Sequence, residues 1–160
     1  VPTNYGFLQN NKRTNAQFNW HLYNNAVSDQ DGEHDFYYDA NYSPEGVDVS
    51  ASLFSPEHIS TVNQNHSCIT VEVLGLSAWM QKNNITNCDL LKLDCEGAEY
   101  NIVYSLTDQD FQAIRYIVAD VHPMKEENEN IDALAAYLRT KGYQVDTVNQ
   151  EILYAKRIQA

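Results

Sequence analysis

Asp89-Leu90-Leu91-Lys92-Leu93-Asp94-Cys95-Glu96-Gly97-Ala98-Glu99 is the stretch whose reading decides the fold. Its first six residues form a short apolar run, as expected of a buried parallel strand. Glu96 to Glu99 then open a helix, with Ala98, Ile102 and Leu106 recurring at four-residue spacing. Working outward, Tyr116 to Val121 predicts a second strand that ends at His122-Pro123. A helix capped by Asn130 follows, with Ile131, Leu134, Ala135 and Leu138 on one stripe and Gly142 as its stop. Tyr143 to Val148 and Ile152 to Ile158, joined by Asn149-Gln150-Glu151, predict an antiparallel pair.

Upstream, Ile69 to Leu74 alternates as a strand, after which Ser77 caps a helix that turns Trp79 and Met80 inward. His21 to Val27 and His34 to Tyr38 alternate on either side of an Asp31-Gly32 turn and predict a hairpin. Pro2 to Asn11 predicts a short helix with Thr3 as its cap, and Asn41 to Asn65 a long loop with a short helix near Pro56 to Ile59. Alternation of strand and helix means an α/β sheet, here with an antiparallel edge.

At 160 residues and 43% hydrophobic composition, the chain has the size of one domain with one core. Ten Lys and Arg against 22 Asp and Glu give a net charge of −12, which repels a phosphate backbone or an anionic lipid surface. Neither nucleic acid nor membrane is therefore expected as a partner. No apolar run is long enough to span a bilayer and no cationic start leads into an export-type segment, so a soluble, cytoplasmic protein is expected. Cys68, Cys88 and Cys95 are odd in number and form no CxxC pair, against a disulfide framework or a zinc site. The chain opens Val1-Pro2-Thr3 rather than with Met, which fits a processed or excerpted start. GxSxG, HExxH and P-loop motifs are absent from the sequence, as is the G-x-G-x-x-G of a nicotinamide-binding domain.

In open α/β sheets, ligands bind at the carboxyl ends of the parallel strands. Two consecutive strands here end in ionisable groups, Asp94 with Glu96 and Asp120 with His122, which converge on one rim if the strands are neighbours. Asp120 lies two residues before His122 on the same strand face and would hold its imidazole in one tautomer. A plainer reading stands beside this one: Glu96 and Glu99 complement a helix dipole, Asp94 caps the helix, and His122 is a satisfied strand-end histidine. Gly97 lets the backbone approach a ligand or a packed neighbour. Nearby carboxylates raise the Cys95 thiol pKa, against a nucleophilic role.

The quoted stretch resembles the signature of the FkbM family of S-adenosylmethionine-dependent methyltransferases, roughly DLLKIDVEGAE. Pro2 to Asn11 is similar to that family's P-x-N-x-x-x-L-x-x-N segment, Asn25 to Asp29 to its N-x-A-V-S-D, Asp31 to Phe36 to its D-x-x-G-x-x-x-F hairpin, and Asp120-Val121-His122 to its E-x-H. The resemblance implies a Rossmann-like class I methyltransferase fold, a mostly parallel sheet ending in an antiparallel pair. It also implies methyl transfer from S-adenosylmethionine to an oxygen of a small molecule, such as a sugar or secondary metabolite. Carried over by position, Asn25, Ala26 and Val27 flank the adenine side of the cofactor and Asp94 lies near its methionine end. Glu96, Asp120 and His122 face the acceptor: His122 as base, Asp120 as its orienter, Glu96 as alternative base or hydroxyl ligand. No metal is implied.

The chain departs from the family pattern where Thr-Leu-Asp is replaced by Gly75-Leu76-Ser77. The family's first two strands, its glycine-rich turn and its acidic strand end have no counterpart here. In the parent sheet those strands lie between the strand at His21 and the one at Asp89, so two unpaired edges are expected. Direct re-pairing, another copy of the chain, or a longer parent protein would cover them. A reading from another class is a non-catalytic α/β remnant serving as an interaction or structural module.

Overall fold

The computed structural model describes residues 2–39, 51–55 and 67–158. Helix α1 (Pro2–Thr14) leads to strands β1 (Ala26–Ser28), β2 (Gly32–Tyr38) and β3 (Ser67–Gly75), then helix α2 (Leu76–Lys82). The second half runs β4 (Cys88–Leu93), α3 (Glu99–Ser105), α4 (Asp108–Ala113), β5 (Ile114–Asp120), α5 (Ile131–Thr140), β6 (Tyr143–Val148) and β7 (Ile152–Arg157). The strands form two sheets, ordered β1-β3-β2 and β4-β5-β7-β6. Among the described residues, β1 and β4 each end a sheet, on the two sides of the expected gap. Two ladders, β1 with β3 and β4 with β5, are parallel and three are antiparallel. The mostly parallel sheet is thus corrected to a mixed one, because β1 and β4 each have a single parallel neighbour.

The predicted hairpin is also corrected. β1 and β2 do not pair with each other; β3 lies between them, parallel to β1 and antiparallel to β2. The crossing takes place at the end of β3, where the Asp31 side chain accepts a hydrogen bond from the Gly75 N–H at 2.9 Å. A Cβ on Gly75 would lie 2.8 Å from the Gln30 Cα, so only glycine lets the linking segment pass over the strand end. Helix α1 starts at Pro2, ahead of the expected Thr3 cap, and runs past Asn11 to Thr14. The expected helix near Pro56 lies outside the described residues.

The core of the second sheet follows from its register. Leu93, Ala119 and Leu153 stand opposite one another, as do Leu91, Ile117, Ala155 and Val145, and this face packs against α5. The Leu134 and Leu138 stripe of α5 is fully buried there, with Asn130 capping the helix through Ala133 N–H. Burying a leucine or isoleucine side chain contributes about 1.5–3 kcal/mol. The opposite face carries Leu90, Tyr154 and Val148, all exposed. Among the described residues β4 is an edge strand with its Leu90 face exposed, where its apolar run predicts a buried parallel strand.

Helix α4 has no counterpart in the sequence reading, although Thr107-Asp108-Gln109-Asp110 has the spacing that marks its start: Thr107 and Asp110 form a reciprocal capping box. The Asp110 carboxylate also accepts a 2.6 Å hydrogen bond from Ser77 Oγ. Ser77 consequently sits inside α2, whose N-cap is Gly75, and its hydroxyl ties α2 to α4 rather than capping a helix. Tyr143 Oη donates to the carbonyls of Phe111 and Ile114, closing the far end of α4.

Candidate functional site

The parallel pairing of Leu93 with Ala119 sets the carboxyl ends of β4 and β5 side by side. From Leu93 the chain passes through Asp94 and Cys95 and then turns at two left-handed residues, Glu96 (φ 50°) and Gly97 (φ 103°), before α3 begins. From Asp120 it passes through Val121 to His122. The two ends meet: His122 Nε2 lies 3.5 Å from Glu96 Oε2, and His122 Nδ1 lies 3.4 Å from Glu99 Oε1.

Glu99 is the residue that sequence reasoning assigned only to a helix dipole. It is fully buried, and its carboxylate accepts the Cys95 N–H at 2.7 Å and the Gly97 N–H at 2.9 Å. One side chain therefore fixes the turn and faces the imidazole. At 3.4 Å, and with Nδ1 buried without a well-formed hydrogen bond, the Glu99–His122 contact is chiefly an ion pair. Tyr100 Oη donates to the His122 carbonyl at 2.9 Å, and Ser52 Oγ donates to the Glu96 carbonyl at 2.7 Å. Ser52, also buried, comes from a segment without periodicity, and nothing in the sequence pattern marked it.

The electrostatics follow from this packing. The Glu99 carboxylate raises the His122 pKa to about 9, against the opposing effect of burial and with further help from Glu96. Asp120 adds the smallest of these attractions, so the carboxylates set against the ring are Glu99 and Glu96. Burial pushes the Glu96 carboxyl up from its ordinary range, and the imidazole pulls it down. Burial, and then Glu99, raise the Cys95 thiol to about 11. That keeps it protonated at neutral pH.

Asp94 is half-exposed and pairs with Lys92, while Ala98 is the N-cap of α3 without a side-chain cap bond. The helix-capping reading of Asp94 is thereby corrected. Gly97 faces a packed neighbour: a Cβ there would meet Met124 Sδ at 2.7 Å and Phe54 at 3.2 Å. Asn25 precedes β1, and Ala26 and Val27 lie in it, in the other sheet, which is linked to the site through contacts of β1 with α3. Val27 also lines an apolar cavity of about 510 Å³ with His21, Tyr23, Leu74, Leu76, Trp79, Asn83 and Ile85. Tyr23 precedes β1, whereas Leu74 and Leu76 lie at the end of β3, and Asp94, Glu96, Glu99 and Asp120 are not among the residues lining this cavity.

Residues 2–145 match the family model described as the Methyltransferase FkbM domain, and the matched span contains the whole His122 cluster. The chain belongs to this family. No curated protein and no solved structure matches it. Membership in the FkbM family points to methyl transfer as the activity, and the mixed α/β architecture is consistent with a methyltransferase fold. No helix among the described residues is long and apolar enough to cross a membrane.

Proposed function

We propose that this FkbM domain serves S-adenosylmethionine-dependent O-methylation of a small hydroxylated metabolite or sugar, on a Rossmann-like scaffold whose sheet is completed across the open edges of β1 and β4. The observation that carries the reading is the placing of the Glu96 and Glu99 carboxylates within 3.5 Å of the two ring nitrogens of His122, at the carboxyl ends of two parallel strands. That is where α/β sheets hold their ligands. In this reading Asp94 is assigned to the methionine end of the cofactor, Asn25, Ala26 and Val27 to its adenine side, and Glu96, Asp120 and His122 to the acceptor. Bound there, S-adenosylmethionine supplies an electrophilic methyl group.

The chain's own residues have two tasks, holding the acceptor hydroxyl in line and taking its proton. With a pKa of about 9, His122 carries a proton at neutral pH. Below that pH we assign proton acceptance to the Glu96 carboxylate, with the imidazolium steering the carboxylate and balancing its charge. His122 becomes the base once its own proton has left. Asp120 supports the positive ring from longer range.

A second reading, the non-catalytic module, draws on the filling of the space before Gly97 by Met124 and Phe54. Titration calorimetry with S-adenosylmethionine and S-adenosylhomocysteine separates the two. Saturable heat supports the enzyme, whereas no heat from the protein shown to be folded supports the module. Mass spectrometry of products from a panel of hydroxylated metabolites then tests O-methylation, with Glu96→Gln expected to lower turnover far more than cofactor affinity.

A further inference from the structure

The opposite end of the second sheet gathers positive charge in a chain of net charge −12. There β5 begins with Ile114 and Arg115, β7 ends with Lys156 and Arg157, and β6 begins with Tyr143 and Gln144. Three of the ten Lys and Arg residues, Arg115, Lys156 and Arg157, line one cavity of about 290 Å³ with Gln144 and Ile158. Tyr116 pairs with Lys156, so the next step along both antiparallel strands sets Arg115 against Arg157. Like charges facing each other across strands are destabilising. Moreover, the Arg157 Nε is buried and has no hydrogen-bond partner, a costly state for a charged donor.

Carboxylates do little to offset this charge. Asp89 lies 3.9 Å from Arg115, and both side chains are mostly exposed. Asp146 lies in the adjoining groove beside Lys156. Asp108 pairs with Lys141 at 2.8 Å in a neighbouring cavity that Arg157 also lines.

We propose that the cavity lined by Arg115, Gln144, Lys156 and Arg157 is a binding site for a small phosphate-bearing anion. Guanidinium groups match phosphate oxygens with parallel N–H donors, an ammonium adds a point charge, and the Gln144 amide offers another donor. An anion between Arg115 and Arg157 would turn their repulsion into shared attraction. The cavity is small, which suits a phosphoryl or diphosphoryl group with the remainder of any larger ligand projecting outward. The site lies at the far end of the strands from His122, so its occupancy is independent of the methyl-transfer reading.

The test is calorimetric titration of the full chain with sodium phosphate and with sodium pyrophosphate at matched ionic strength, alongside amide spectra that follow Gln144 and Ile158. Saturable binding is expected for at least one anion, and tighter binding of pyrophosphate would assign a diphosphate group. Replacing Arg115→Gln and Arg157→Gln together should weaken it at least about tenfold. Lys156→Gln, an exposed position, should weaken it severalfold without disturbing the fold. Lys12→Gln with Arg13→Gln on α1 should leave it unchanged. Failure of both anions to saturate, or affinity untouched by both the double variant and Lys156→Gln, would overturn the proposal.

Discussion

Replacing Glu99 with Gln keeps the side chain's shape and removes its charge, which isolates what the buried carboxylate does. In the native site Oε1 accepts the Cys95 N–H and faces His122 Nδ1, while Oε2 accepts the Gly97 N–H. A glutamine has one acceptor oxygen, so one of the two backbone N–H groups would face an amide NH₂ instead. Losing that charge-assisted bond should destabilise the fold by about 1.5–3 kcal/mol. The imidazole loses its principal anionic neighbour, and its pKa should fall from about 9 by roughly one unit or more. Glu96→Gln should produce a smaller fall, because Glu96 contributes less to the shift. The assay is an imidazole ¹H–¹³C titration from acid to alkaline pH, with thermal unfolding in parallel. A wild-type His122 titrating at its ordinary 6.5, or a Glu99→Gln protein whose His122 still titrates near 9, would refute the reasoning.

The same group gives the fold a pH dependence. A histidine whose folded pKa lies above its unfolded value stabilises fully below pH 6.5 and loses that contribution as pH rises through about 9. Thermal unfolding should show the loss as a fall on the order of 1–2 kcal/mol, after allowing for the ring's partial exposure, and His122→Asn should abolish it. Gly75→Ala should destabilise by about 1–3 kcal/mol in denaturant unfolding, because its Cβ meets the backbone of Gln30 rather than a movable side chain. Tyr143→Phe removes the hydroxyl that joins the carbonyls of Phe111 and Ile114, at a cost of about 1–3 kcal/mol by the same measurement. Glu96→Gly should relieve left-handed strain of about 1–3 kcal/mol and leave unfolding stability close to native or higher, while removing the carboxylate from His122.

The parts of the fold legible in the sequence were those with local causes. The Asn130 cap and the Leu134 and Leu138 stripe of α5 lie within one helix, and β6 and β7 pair through a short turn in which Glu151 N–H returns to Val148 O. The β1 and β2 arrangement depended on β3, whose pairing residues are some forty positions further along, and a local turn signal could not reveal the intervening strand. At the site, strand periodicity pointed to Asp120 as the partner of His122. The carboxylates that flank the ring instead come from the β4–α3 turn, whose two left-handed residues bring Glu96 and Glu99 back toward β5. Ser52 reaches the same turn from a segment with no pattern at all.

The backbone at Glu96 ties these observations together. A non-glycine residue at positive φ costs about 1–3 kcal/mol, and a turn needed only to join strand to helix would be cheaper with glycine at both left-handed positions. Here the second position is glycine and the first is not. The strain is held in place from three sides: Glu99 binds the N–H groups before and after Glu96, Ser52 binds its carbonyl, and the Glu96 carboxylate faces His122. Ser52 and Glu99 are buried groups engaged with the turn's backbone, whereas the Glu96 side chain remains partly accessible beside an equally accessible imidazole. Rigid support beneath two reachable titratable groups suits the proton transfer proposed for this site, and Glu96→Gly separates that role from packing: it should keep the fold while removing the carboxylate from His122.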